Sequence, residues 1–401
     1  VYVHGLIRDN EGQKMSKSKG NVLDPLDIVD GITLDALVAK RTSGLMQPKL
    51  APAITKATRK QYPEGIAAYG TDALRFTFAA IATQSRDLRF DLGRVEGYRN
   101  FCNKLWNASR YVLMATDVDR DEGTETLSLA DRWIRSRLDA AILAVRDGYS
   151  QYRFDLAAQA VYEFTWYEFC DWYLEFSKPV LQSADSTADE RRGTRRTLIV
   201  VLEALLRLLH PLMPFITEEI WLRVGPRAGR TGDSIMRQPY PAAEPGAADP
   251  QLAAEMRWVM DFILGIRRIR GELDIAPSLR ISVLLQNASD QDLARYARNA
   301  ASIQRLAGIA EARVLAEGET APQAATALLG SMNILVPMAG LINVDAELER
   351  LGKRRSKLEQ ELARAAAKLG NENFVRSAPA EVVAQERARV EEFKRELAQL
   401  A

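Results

Sequence analysis

The stretch 341–401 repeats its core positions in alternate steps of four and three residues, and few folds satisfy that rhythm. Val344, Leu348, Leu351, Arg355, Leu358, Leu362, Ala365 and Leu369 form one run; Val383, Glu386, Val390, Phe393, Leu397 and Leu400 form a second. A seven-residue repeat keeps one stripe of an α-helix turned towards a partner helix. Between the runs lies GNENFVRSAP, whose Gly370 and Pro379 interrupt a continuous helix. The pattern predicts two helices folded back as an antiparallel coiled-coil hairpin. Its first helix carries Lys353, Arg354, Arg355, Lys357, Arg364 and Lys368. Such cations suit a solvated exterior. A repeat of this length also fits dimerisation.

Helical spacing governs most of the remaining chain. From Arg94 to Met114, one face gathers Tyr98, Phe101, Cys102, Leu105, Ala108, Ser109 and Val112 as core. The opposite stripe holds Asn100, Lys104, Asn107 and Tyr111, amides and a cation with one aromatic, a set that can bond and stack an unpaired base. An ordinary solvated face reads equally well. Ser128, with Asp131 three residues on, resembles a capping box opening LADRWIRSRLDAAILAV. Phe154 to Phe176 is dense in aromatics, including Tyr162, Phe164, Trp166, Phe169 and Tyr173, and reads mainly as bundle core. A further helix runs from Thr194 to Leu209, and Pro211 and Pro214 end it and start the next, leaving His210 as a helix-end residue. Gly225 to Pro250 reads as a linker. Beyond it a helix, MRWVMDFILGIRRIRGEL, and strand-like RISVLLQ, EARVLAE and NILVPMAG compose a small α/β region.

Composition narrows the functions open to this chain. With 401 residues, 47% of them hydrophobic, roughly two to four domains can form cores. Lys plus Arg number 54 against 53 Asp plus Glu, so contact with nucleic acid must come from local patches. Cys102 and Cys170 lie inside apolar helical patterns, which suits free thiols in a reducing, cytoplasmic setting. With His4 and His210 as the two histidines and no CxxC pair, neither a zinc site nor a histidine-based triad is expected; metal enters with a nucleotide. The most apolar run, LIVVLEALLRLL, is too short for a membrane span. The chain opens on VYVHGLI, a strand pattern without a leader, and is expected to be a piece of a longer protein.

The stretch that can do chemistry is GQKMSKSKGN, from Gly12 to Asn21. Lys14, Lys17 and Lys19 stand among Ser16, Ser18 and Gly20, with Met15 the one long apolar side chain. Ammonium groups and hydroxyls on a mobile backbone can follow the charge of a polyphosphate as it develops. The string is not a Walker loop, because no Gly-Lys-Ser or Gly-Lys-Thr follows a glycine at that spacing. Basic residues Lys40, Arg41, Lys49, Lys56, Arg59 and Lys60 follow in a proline-punctuated segment, 31–65. GTDALRF then opens a helix, with Thr71 the candidate N-cap and Asp72 and Arg75 expected to pair or cap.

KMSKS, with VYVHGLIRD before it and GNVLDPLDIVDG after it, resembles the loop of class I aminoacyl-tRNA synthetases, and most closely the valyl family. GTDALR, NKLWNASRY and NFVRSAP add to that resemblance, which covers nearly the whole chain. It implies a mainly α fold in four parts: the end of a class I catalytic domain with the KMSKS loop (1–69), a helical-bundle anticodon-binding domain (70–240), a small α/β junction (241–340) and a C-terminal coiled-coil tRNA-binding arm (341–401). It implies a valine–tRNA ligase using ATP and valine, with Mg2+ carried by the nucleotide, tRNA(Val) as partner and a monomeric, cytoplasmic enzyme. Lys14 and Lys17 would be catalytic, and Lys14, Met15, Ser16, Lys17 and Ser18 would hold ATP. Asn100, Lys104, Asn107 and Tyr111 would face the anticodon, and Lys353, Arg354, Lys357 and Arg364 the tRNA backbone. The insertion 31–65 receives no essential role. The His-Ile-Gly-His element of the class does not occur in this sequence, so the chain alone is expected to be inactive. An isoleucyl-type enzyme would be expected to end in a cysteine-rich zinc module instead of a coil; a non-catalytic RNA-binding or coiled-coil module would have no use for a triphosphate loop.

Overall fold

The computed structural model describes residues 5–45, 47–83, 87–117, 123–244, 249–316, 319–339, 344–370 and 380–399. The chain divides into two compact units, Val1–Val259 and Met260–Ala401. In the first, two short parallel strands, β1 (Leu6–Arg8) and β2 (Asp87–Arg89), pair on either side of the segment that holds the KMSKS loop. Helix α1 (Pro25–Asp30) begins where Asp24 accepts from the Leu26 amide, with proline at the first helical position, where its missing N–H costs nothing. The basic insertion folds as a helical hairpin, α2 (Leu34–Thr42) against α3 (Ala51–Gln61). Ile32 and Ile66 close its base by exchanging backbone hydrogen bonds of 2.8 Å.

Helix α4 (Thr71–Ile81) corrects one sequence expectation. Its N-cap is Gly70, at φ +85°, a left-handed conformation that favours glycine; Thr71 is already helical. Asp72 and Arg75 neither pair with each other nor cap their own helix. Asp72 accepts from the amides of Phe215 (3.3 Å) and Ile216 (2.6 Å), so its carboxylate caps a helix far away in sequence, at the dipole's positive end. Arg75 donates to the carbonyls of Pro211 (3.0 Å) and Leu212 (3.2 Å). The two side chains thus grip one corner of the bundle from α4.

The bundle comprises α5 (Leu92–Ala115), α6 (Leu129–Ser150), α7 (Phe154–Glu163), α8 (Leu174–Gln182), α9 (Ala188–Leu209) and α10 (Pro214–Arg227). Between α7 and α8 the chain continues as a π-helix, Phe164–Tyr173, which buries Phe164, Phe169 and Tyr173. The aromatic-dense stretch is therefore mainly core, as its burial payload requires. Ser128 and Asp131 form the expected capping box. Asp131 does more: it also accepts from Tyr173 Oη (2.6 Å) and Thr194 Oγ1 (2.8 Å), which ties α6, the π segment and α9 together. From Leu198 to Leu209 α9 is buried on almost every side, which explains its unbroken apolar run. Glu203, inside that run, is satisfied by two bonds from Arg207 (2.8 Å each), one from Trp221 Nε1 (3.0 Å) and an ion pair with Arg230 (3.3 Å).

The expected linker is largely part of the bundle. Arg207 donates to Pro239 O (2.6 Å), Tyr240 Oη to Leu208 O (3.1 Å) and Arg146 to Pro241 O (3.1 Å), while Ile235 is buried. Proline and glycine make this stretch look loose in sequence, but its prolyl carbonyls are acceptors that bundle arginines can use.

Helix α11 (Pro250–Glu272) contains the division between the units. In the second unit a four-stranded sheet of order β4-β3-β6-β5 forms from β3 (Ile281–Gln286), β4 (Ile309–Val314), β5 (Ala324–Leu329) and β6 (Met332–Pro337). β3 and β4 are parallel, joined through α12 (Asp290–Ala307); β6 runs antiparallel to both β3 and β5. Three of these strands follow from the sequence pattern; β5 does not, because its AATALL lacks β-branched side chains except Thr326. The heptad helices are α13 (Val344–Gly370) and α14 (Ala380–Gln399), packed together with Leu358, Ala365 and Glu386 buried. Lys368, late in α13, bonds Glu386, early in α14, at 3.1 Å, as in an antiparallel hairpin. Among the described residues no helix is long and apolar enough to cross a membrane.

Candidate functional site

The KMSKS loop leaves β1 and returns to α1, and a single side chain closes it. Asn21 donates to Asp9 Oδ2 (2.8 Å) and Lys14 O (3.3 Å) and accepts from the Ser16 amide (2.9 Å). Asp9 in turn accepts from the amides of Glu11 (3.1 Å) and Gln13 (2.7 Å). Burial acts to raise the Asp9 pKa, but the Asn21 bond, the two amides and nearby Lys19 outweigh it, and the carboxyl stays below its usual range. An ionised Asp9 is the fixed post to which the loop is tied.

Between those ties, Lys17–Lys19 makes one 3₁₀ turn, ended by Gly20 at φ +64°. Gly20 has no alternative: a Cβ there would lie 2.6 Å from Ile54 Cγ2, in addition to the conformational cost. The backbone of the motif is thereby fixed at both ends, while Lys14, Lys17 and Lys19 are exposed and Met15 and Ser16 half-buried. The side chain of Ser18 lies outside the described residues. Strong backbone ties beneath exposed ammonium groups give a mobile positive edge on a defined base, which suits a polyanion that arrives and leaves.

The stripe on α5 is divided by the fold. Asn100 and Asn107 are exposed, with Trp106 38% exposed beside them. Lys104 turns inward: its ammonium pairs with Asp171 and sits 3.9 Å from the centroid of the Trp166 ring. Tyr111 bonds Ser177 at 2.8 Å, and burial raises its hydroxyl pKa. Two of the four side chains are thus held by the π segment and α8, which sequence spacing on one helix could not reveal. On the coil, Lys357 and Arg364 are exposed, whereas the side chains of Lys353 and Arg354 lie outside the described residues. His210 ends α9 and shares a 2.8 Å bond between Nδ1 and Thr217 Oγ1; burial lowers its pKa. It is a structural residue.

Three family models match the chain in order. Residues 1–91 match tRNA synthetases class I (I, L, M and V), and residues 131–285 match the anticodon-binding domain of tRNA ligase. This chain belongs to the class I tRNA synthetases. Residues 343–401 match the valyl tRNA synthetase tRNA binding arm, which makes it a portion of a synthetase of the valyl family. Among solved structures, a LeuRS of Agrobacterium radiobacter K84, in a ternary complex with tRNA and LeuAMS, aligns at 16% identity and a TM-score of 0.41, over 84% of this chain and 32% of that one. The chain spans about a third of the length of that relative.

Proposed function

We propose that this chain is the part of a valine–tRNA ligase that supplies the ATP-clamping loop and the surfaces that hold tRNA(Val). The observation that carries the reading is the loop itself, exposed Lys14 and Lys17 above a backbone pinned by Asn21 and Gly20. Valine carboxylate attacks the α-phosphorus of ATP, and pyrophosphate leaves. Lys17 and Lys14 meet the charge that builds on the triphosphate, and Ser16 and Ser18 add hydrogen bonds. Mg2+ arrives with the nucleotide. The bundle reads the anticodon with Asn100 and Asn107 as its outward contacts, and the coil leans on tRNA phosphates through Lys353, Arg354, Lys357 and Arg364. The enzyme acts as a cytoplasmic monomer.

The test is valine-dependent ATP/pyrophosphate exchange in the complete synthetase. Lys17→Ala lowers the rate by about 10²- to 10³-fold, the usual loss of one transition-state donor. A rate within threefold of the parent, roughly, would remove the loop from the chemistry. The isolated 401-residue chain shows no exchange, because it has no His-Ile-Gly-His element. Detectable exchange would show that the chain is catalytically self-sufficient.

A further inference from the structure

The hairpin of the basic insertion lies directly under the KMSKS loop. Gly20 is buried, and the nearest atoms to its missing Cβ all belong to Ile54 of α3, which is itself 8% exposed. From α2, Lys40 forks between Asp24 (2.7 Å) and Asp27 (2.8 Å), the two acids at the start of α1 where the loop ends. The hairpin that carries both residues is braced internally. Arg41 is buried, donates to Thr58 Oγ1 (3.2 Å) and lies 5.1 Å from the centroid of the Tyr62 ring. A cavity of about 770 Å³ is lined by Lys19, Gly20 and Asn21 of the loop and by Thr58 and Tyr62 at the hairpin. The loop thus meets the hairpin where Gly20 lies on Ile54, with space beside that contact.

We propose that the α2–α3 hairpin is the anchor of the KMSKS loop's C-terminal hinge, with Ile54 and Lys40 as positioning residues for the ATP step. A left-handed glycine pressed on a rigid aliphatic side chain fixes where the loop pivots. Lys40 holds the first turn of α1, so the pivot cannot slide along the chain. The neighbouring cavity, which Lys19 lines, leaves that side chain room to travel while the hinge stays. An unanchored loop would have to be ordered by the nucleotide at the moment of binding, and apparent affinity for ATP would fall accordingly.

The inference rests on the reading of the loop as an ATP clamp, and two measurements keep the two apart. The first is hydrogen exchange of amides 14–21 in this chain without nucleotide. Ile54→Ala speeds their exchange about tenfold, as expected when buried aliphatic packing is removed from a locally opening segment. Lys40→Met, which removes the fork to Asp24 and Asp27, speeds it about threefold, and Arg59→Ala, on the exposed Asp35 side of the same hairpin, does not. Unchanged loop exchange in the first two variants overturns the anchor whatever the loop binds. The second measurement is kinetic, in the complete synthetase. Ile54→Ala and Lys40→Met raise KM for ATP and leave KM for valine unchanged; equal rises in both would overturn the proposal. If Lys17→Ala leaves exchange activity intact while the loop amides respond as stated, the clamp reading fails and the anchor stands.

Discussion

Two regions of this protein use charge in opposite ways. In the bundle, Glu203 is 2% exposed and reached by Arg207, Arg230 and Trp221, while Asp131, 1% exposed, is reached by Ser128, Tyr173 and Thr194. In the KMSKS loop the ammonium groups stand in water, and the polar bonds beneath them run from Asn21 to backbone and to the Asp9 carboxylate. Burying a charge is costly unless each of its bonds is made, so a bundle carboxylate is committed to its neighbours and cannot serve a ligand. An exposed lysine on a pinned backbone has a cheap resting state and remains available. The difference separates charges that build the scaffold from charges that can do chemistry.

The sharpest way to break that contrast is to remove one partner from the buried set. Glu203→Ala leaves Arg207 and Arg230 without their carboxylate and should destabilise the first unit by about 3–5 kcal/mol, read as a lower urea midpoint. Lys17→Ala should leave the unfolding free energy within about 0.5 kcal/mol of the parent, since a surface lysine contributes little to folding. Stability effects of similar size at the two sites would erase the distinction.

Acid sharpens it further, because two buried carboxylates of the first unit respond with opposite sign. Burial works to raise both pKa values. At Glu203 the Arg207 and Trp221 bonds and two positive neighbours more than offset burial, so its pKa is lowered from 4.5. Its stabilising contribution is complete above pH 4.5 and is lost as pH falls through the lower folded value. At Asp72, two backbone amides do not offset burial, and the pKa stays raised from 3.8. Protonating Asp72 therefore costs less in the folded state than in the unfolded one. Urea midpoints between pH 3 and 6, roughly, should show acid destabilisation that Glu203→Gln reduces and Asp72→Asn does not.

The smallest effects concern the surfaces proposed to meet tRNA. Lys357→Ala with Arg364→Ala should reduce the slope of log K against log salt for tRNA binding by roughly two, about one for each phosphate that is no longer neutralised. Tyr111→Phe should cost about 1 kcal/mol of stability through its Ser177 bond and leave anticodon preference alone, whereas Asn107→Ala should do the reverse. Parallel losses in both variants would return Tyr111 to the reading surface.

Much of this architecture is legible in the chain itself. The heptad steps give both coil helices, and Ser128 with Asp131 gives the start of α6, because capping and periodicity act within a few residues of chain. The loop is legible as chemistry because the string KMSKS is rare. Other features are not. Asp72 looks like a local cap because nothing in GTDALRF points to Phe215 and Ile216. Lys104 looks like an RNA contact because Trp166 and Asp171 lie on another helix. The stretch 225–250 looks like a linker because its prolines signal breaks but not the arginines that bind their carbonyls.

By itself the sequence determined most of the elements: the helical stretches, the loop that gathers the cations, and that the last two helices pair. The tertiary structure alone decided the partners. It put Ile54 under Gly20, Asp72 on the end of α10 and Asn21 across the mouth of the loop. Periodicity is a property of neighbours along the chain. Which exposed-looking charge is free and which is spent depends on residues far away in sequence, and only packing brings those together.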